Sequence, residues 1–267
     1  MKKYLKVGLA LLFVISLVSA QAQKKSSSIK GEEVTYMDGG VTLKGYVAYN
    51  EKQKGKRPAI LVVPEWWGCN DYVRTRANML AELGYIAIAV DMYGDGKIAA
   101  NPTEAQNFAT PFYKDPAMGN ARIEAAINKV KTYPQANANK MAAIGYCFGG
   151  SMVLNAAKSG FDLKNVVSFH GGLAGVPATQ GNTKANILVC HGGADKFISA
   201  DDIKNFKRNL DSVKAPYTFK VYPGATHAFT NPKSTATGKK FSMPIEYNEV
   251  ADKQSWKDMK DFFKKTL

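Results

Sequence analysis

Cysteine is scarce. Three among 267 residues, Cys69, Cys147 and Cys190, form an odd set, so at least one thiol stays free and a disulfide-stapled scaffold does not fit. Cys69 and Cys190 are expected to be unpaired core residues, a buried pair being the alternative, because Cys190 falls inside an apolar run and free cysteine is often buried. Histidine is equally rare. His170, His191 and His227 lack the spacing of a metal site, and no metal or cofactor is called for. Arginine is sparse as well: the formal charge of +14 comes mostly from lysines scattered over helices and loops. With no aromatic and basic stripe and no nucleic-acid motif, that charge reads as a solvated basic surface, able to attract anions, rather than a nucleic-acid site. Long hydrophobic runs are missing after the first twenty residues. Val7 to Val18 is apolar but too short to span a bilayer comfortably, with Lys2, Lys3 and Lys6 before it and Ser19-Ala20-Gln21-Ala22 after it. Residues 1–22 therefore read as a secretory signal peptide, the alternative being an uncleaved anchor. Residues 23–33 read as a flexible lead, and the mature chain as a soluble periplasmic or secreted protein without stable membrane insertion. Its charge is about +11 once the leader lysines are gone.

What is present centres on Ala143-Ile144-Gly145-Tyr146-Cys147-Phe148-Gly149-Gly150-Ser151. An apolar run, Lys140 to Ile144, reads as a buried strand, and Met152 to Ala157 reads as a helix. The turn between them is rich in glycine, which lets strand and helix backbones approach closely and pushes Cys147 out at the apex. This is the Gly-x-nucleophile-x-Gly pattern with sulfur at its centre. It supplies an exposed nucleophile, a helix N-terminus beside it and the Phe148 N–H as an oxyanion donor. Taken alone, the pattern also fits a buried cysteine in another strand-to-helix turn.

The pattern predicts an acid and then a histidine, each after a later strand. Ile187 to His191 ends in Gly192-Gly193-Ala194-Asp195, and Tyr217 to Tyr222 ends in Pro223-Gly224-Ala225-Thr226-His227. The residues that would act together are Cys147, Asp195 and His227. The expected fold is α/β, specifically the α/β-hydrolase fold, with a mostly parallel central sheet and helices on both faces. No composition break divides residues 34–267, which suit one domain.

Four stretches in order, Val63-Pro64-Glu65-Trp66-Trp67-Gly68, Gly145-Tyr146-Cys147-Phe148-Gly149-Gly150, His191-Gly192-Gly193-Ala194-Asp195 and Ala225-Thr226-His227-Ala228-Phe229, together resemble the dienelactone hydrolase family. The resemblance runs from about Val34 to the C-terminus. It implies a Cys-His-Asp hydrolase of a small-molecule ester, lactone or thioester, with Trp66 N–H as a second oxyanion donor. It also implies that Glu65 contacts the resting thiol and swings away as substrate binds. The family holds a substrate carboxylate with two arginines, but an ungapped match puts Glu104 at one position and Asn231 at the other. Neither can act as a bidentate cation, which turns the reading from dienelactone towards a different ester, thioester or lactone.

In the remaining chain, Val34 to Tyr36 and Val41 to Ala48 flank Asp38-Gly39-Gly40 as an antiparallel edge hairpin. Ala59 to Val63, Ile86 to Val90 and Val166 to His170 read as buried strands. Asp71 is placed to cap a helix through Val73 and Leu80 that stops at Gly84. Asp91 to Pro116, with its glycines, prolines and aromatics, reads as an irregular pocket wall or lid, or else surface packing. Helices are expected at Ala117 to Lys131 and Ala200 to Leu210. A final helix, Tyr247 to Phe263, would bury Val250, Trp256, Met259 and Phe263, and Pro223 to Pro244 reads as a long loop. Candidate pocket residues are Trp67, Tyr93, Tyr146 and His170, the last equally readable as a packing histidine. A non-catalytic binding protein on a hydrolase fold and a redox-responsive thiol protein remain alternatives. The sequence leaves the oligomeric state open.

Overall fold

The computed structural model describes residues 28–267. The expected leader, residues 1–22, and the first part of the expected lead lie outside them. Eight strands form one sheet: β1 (Ile29–Asp38), β2 (Val41–Asn50), β3 (Arg57–Val63), β4 (Ile86–Ala89), β5 (Ala136–Tyr146), β6 (Asn165–Phe169), β7 (Asn186–Gly192) and β8 (Tyr217–Tyr222). Their spatial order is β1-β2-β4-β3-β5-β6-β7-β8. The β1–β2 hairpin and the β2–β4 pair are antiparallel, and every later pair is parallel. Strand β1 begins at Ile29, so the sheet starts inside the stretch read as a lead. There Glu32 accepts from the Tyr133 hydroxyl at 2.8 Å and pairs with Lys30 at 3.1 Å, which gives its acidic residues fixed partners.

The helices are α1 (Asp71–Glu82), α2 (Pro102–Lys114), α3 (Pro116–Lys131), α4 (Phe148–Lys158), α5 (Ala200–Ser212), α6 (Ser234–Phe241) and α7 (Glu249–Thr266). They cover both faces of the sheet, so the central strands β3, β4 and β6 and the Met141 to Tyr146 half of β5 are almost wholly buried. One core unites β3, β4, β5 and β7 with α2, α3 and α4, and a second lies on the other face with α1 and α7. Among the described residues no helix is long and apolar enough to cross a membrane.

Four local expectations need correction. The N-cap of α1 is Asn70, whose side chain accepts the Tyr72 N–H at 3.0 Å, rather than Asp71. Pro102 to Lys114 is helical despite Pro111: Asn101 caps it through the Glu104 N–H, Pro102 occupies the first turn, and Ala105, Ala109 and Phe112 make a buried stripe. The long loop before Pro244 contains α6. On α7, Val250 sits in the first turn and is 80% exposed, while Ala251, Ser255, Met259 and Phe263 face inward.

Candidate active site

Strand β5 runs into α4 with no room between them. A Cβ on Gly145 would stand 2.1 Å from the Gly149 carbonyl oxygen, and one on Gly149 would stand 2.3 Å from that of Val63. The close crossing forces Cys147 to φ 51° and ψ −115°, a conformation that non-glycine residues rarely adopt. Its side chain is thereby presented at the N-terminus of α4, at the C-terminal edge of the parallel strands where open α/β sheets place their ligands. Phe148 is the first residue of α4, and no described acceptor takes its N–H or that of Trp66. Gly149 N–H donates to Pro64 O at 2.9 Å, which ties the loop after β3 to the elbow.

Asp195 follows β7 and His227 follows β8. His227 Nδ1 lies 2.8 Å from Asp195 Oδ2, and Asp195 Oδ1 accepts the Phe197 N–H at 2.9 Å, so both carboxylate oxygens are engaged. With Nδ1–H given to Asp195, Nε2 is left for the Cys147 sulfur. Burial pushes the His227 imidazole down, but the Cys147 charge, the hydrogen bond to Asp195 and the one to Cys147 outweigh it and raise the pKa to about 10. The ring is packed edge-on by Phe197, with centroids 5.0 Å apart.

Beside Cys147 and His227 opens a cavity of about 310 Å³. Its walls are Glu65, Trp66 and Trp67 from the β3 loop, Gln106 and Tyr113 from α2, Phe197 and Ile198 after Asp195, and Met243 and Ile245 after α6. Lysine and arginine are absent from this wall among the described residues. Glu65 is 3% exposed, and burial lifts its carboxyl to about 7 against the opposing pull of the Asn231 hydrogen bond and the His227 and Arg76 charges. The hydrogen-bond partner of Glu65 is the Asn231 amide, at 2.7 Å, not the thiol that the resemblance implies.

Cys147, Asp195, His227, Glu65, Trp66, Trp67 and Phe148 thus come together, whereas three expected pocket residues stand elsewhere. Tyr93 is buried behind the wall, its hydroxyl donating to the Trp66 carbonyl at 2.9 Å. Tyr146 precedes Cys147 and so points to the opposite face, where it stacks on Phe169 with centroids 4.8 Å apart. His170 is 1% exposed and lies under the elbow. The pocket residues missed from sequence lie on α2, after α6 and on the loop after Asp195. The stretch from Asp91 to Pro116 reads in the sequence as a pocket wall or lid, or else surface packing, and Gln106 and Tyr113 on α2 fall within it. Cys69 and Cys190 are free and buried, and burial pushes both thiols up to about 12, which keeps them protonated and inert.

An eight-stranded, mostly parallel sheet with a strained strand-to-helix turn at Cys147 and an acid–histidine pair after later strands has the α/β-hydrolase fold. Residues 43–267 match the dienelactone hydrolase family, and the chain belongs to it. It is a hydrolase of a family that acts on ester bonds. Among solved structures, the dienelactone hydrolase-like promiscuous phosphotriesterase P91 from metagenomic libraries is 31% identical, with a TM-score of 0.85 over 90% of this chain and 99% of that one. A structure named m3DLH is 33% identical, with a TM-score of 0.85 over the same shares. In Aquifex aeolicus (strain VF5), a protein named "Putative carboxymethylenebutenolidase" is 29% identical over 212 residues, 76% of this chain and 88% of that one.

Proposed function

We propose that this protein is an exported hydrolase that cleaves an uncharged carboxylic ester, lactone or thioester through Cys147, His227 and Asp195. The observation that carries this reading is the elbow itself: Cys147, strained at φ 51° on the helix N-terminus, meets an imidazole raised to about 10 by that sulfur and Asp195. His227 takes the Cys147 proton at Nε2. The thiolate attacks the acyl carbon, and the Phe148 and Trp66 N–H groups receive the oxyanion. As the tetrahedral intermediate collapses, the bond to the leaving alkoxide or thiolate breaks and His227 gives it the proton. Neutral His227 then takes a proton from water, whose hydroxide attacks the thioester. The acid product departs and the thiolate–imidazolium pair is restored.

The walls support an uncharged substrate. Among the described residues the cavity offers Trp66, Trp67, Tyr113 and Phe197 but no side-chain cation other than His227. Asn231 is occupied by Glu65, and Glu104 turns back to accept the Ala100 N–H at 2.9 Å. A substrate carboxylate would meet Glu65 without a counter-charge. Export rests on the Ala-x-Ala leader pattern of residues 1–22.

The deciding experiment is hydrolysis of short-chain nitrophenyl esters, a thioester, a neutral lactone, a carboxylate-bearing lactone and, because the 31% identical neighbour is a phosphotriesterase, a phosphotriester. Each is assayed with the mature protein and with Cys147→Ala. Turnover of neutral esters that disappears in the mutant supports the reading; equal turnover in both proteins, or preference for the carboxylate-bearing lactone, overturns it.

A further inference from the structure

His170 is a histidine of the site region that the proposed chemistry leaves idle, yet it is built in at a cost. It adopts φ 41°, a left-handed conformation that strains a residue with a Cβ, and its ring is buried. Both ring nitrogens have partners. Nδ1 accepts the Cys147 N–H at 3.1 Å, a proton shared with the Phe169 carbonyl at 3.0 Å. Because Nδ1 accepts, the neutral ring carries its proton on Nε2, which donates to Thr230 Oγ1 at 2.7 Å. Burial, with the neighbouring His227 and Arg76 charges, holds this imidazole far below its ordinary value, so the neutral tautomer persists.

The two partners belong to different loops. Cys147 is the elbow; Thr230 lies three residues beyond His227, on the same turn, after the strained Ala228 at φ 57°. Thr230 is itself anchored from behind. Its hydroxyl meets the Tyr72 hydroxyl at 2.7 Å, and its carbonyl accepts from Arg76 Nη2 at 2.6 Å. Arg76 pairs with Asp252 at 2.5 Å, with both side chains largely buried. A continuous path of hydrogen bonds therefore runs from a buried ion pair between α1 and α7, through Thr230 and His170, to the backbone of Cys147.

We infer that His170 is a positioning residue: one ring that bridges the Cys147 elbow and the His227 loop and thereby sets the separation of thiol and imidazole. The inference rests on the proposed roles of Cys147 and His227. His170 is not among the residues lining the cavity, and its ring nitrogens bond the Cys147 N–H and Thr230 Oγ1. It is fitted to the task because a planar ring with one acceptor and one donor holds both loops at a fixed distance, and its partners are rigidly buried. A displacement of thiol from imidazole by a fraction of an ångström weakens the hydrogen bond between them and the alignment of attack.

The test uses the rate at which iodoacetamide alkylates Cys147 in the resting mature protein, alongside kcat and KM on a neutral ester, for wild type, His170→Phe, His170→Asn and Thr230→Val. Alkylation reports the thiol–imidazole pair even where no substrate is turned over, so it stands or falls separately from the hydrolase reading. Expected is a fall in alkylation rate and in kcat on the order of tenfold to hundredfold for His170→Phe, with KM nearly unchanged. His170→Asn, which restores an acceptor near the Nδ1 position, should recover part of both rates. Thr230→Val cuts the other end of the bridge with minimal loss of volume and should fall in the same direction, so the inference stays testable if His170→Phe does not fold. A ring that only packs the core gives the opposite pattern: a lower melting temperature, with alkylation unchanged or faster as the elbow loosens. That result, or wild-type rates in Thr230→Val, overturns the inference.

Discussion

The Asn231 amide donates to Glu65 Oε2 across 2.7 Å in a wholly buried corner of the cavity. Burial lifts this carboxyl to about 7, against the opposing pull of that one neutral donor and of the His227 and Arg76 charges. A buried acid in that position makes folding stability depend on pH in a specific direction. The folded state holds the proton more tightly than the unfolded chain does, so the contribution is fully present below about 4.5 and is lost as pH rises through about 7. The full swing is on the order of 3 kcal/mol.

Glu65→Gln should abolish that swing while keeping a group that Asn231 can still hydrogen-bond. Urea unfolding at pH 5 and pH 8 is the measurement. The stability of the mutant relative to wild type should increase between the two values by roughly 2 kcal/mol. A constant difference would mean that Glu65 does not titrate in this range.

Much of this corner was legible before any coordinates, and the reason is locality. The Cys147 elbow, the Asp195 turn and the His227 turn are each a strand end followed by glycine, and the chain order of the three is imposed by the fold. Strand positions followed for the same reason, since continuous apolar runs of strand length mark buried parallel strands. The walls of the cavity were not legible. Gln106 and Tyr113 lie on α2, in a stretch whose glycines, prolines and aromatics gave no helix; the Asn101 cap, Pro102 in the first turn and the buried Ala105, Ala109 and Phe112 stripe make one. Met243 and Ile245 reach the cavity only because α6 folds the chain back. His170 illustrates the limit most sharply: its two partners lie 23 and 60 residues away in sequence, and no spacing rule joins them.

Asp195 gives a second prediction. It accepts from His227 Nδ1 and contributes, by hydrogen bond and by charge, to the elevation of that imidazole towards 10. Asp195→Asn removes the charge and presents a donor or a weaker acceptor to Nδ1, which disfavours the tautomer with Nε2 facing Cys147. The imidazole should therefore titrate lower, and kcat on a neutral ester should fall by a factor of about 10² to 10⁴. Histidine ring titration by NMR and steady-state kinetics test the two parts separately. An unchanged His227 titration would show that Cys147 alone sustains the raised value.

A third prediction concerns a charge remote from the site. Lys158, in the last turn of α4, is 3% exposed; its ammonium lies over the face of Phe206, 5.2 Å from the ring centroid, and burial lowers its pKa to about 8. Below pH 8 the folded protein keeps this ammonium charged in an apolar setting, whereas the unfolded chain solvates it freely up to about 10.5. The depressed value therefore makes stability rise as pH climbs from about 8 to 10.5 and fall away again as pH drops through 8. Lys158→Met keeps the length and the contact with Phe206 while deleting the charge, so it should stabilise the protein at pH 7. The cation–π attraction to Phe206 offsets part of the desolvation cost, which leaves an expected gain of about 1 to 3 kcal/mol. That gain should shrink steadily above pH 8 and be nearly gone at pH 10.5, because wild type then sheds the proton in both states. Urea unfolding of the two proteins across this range is the measurement. A mutant less stable than wild type at pH 7 would show instead that the Phe206 contact, or solvent reaching the ammonium, outweighs its burial.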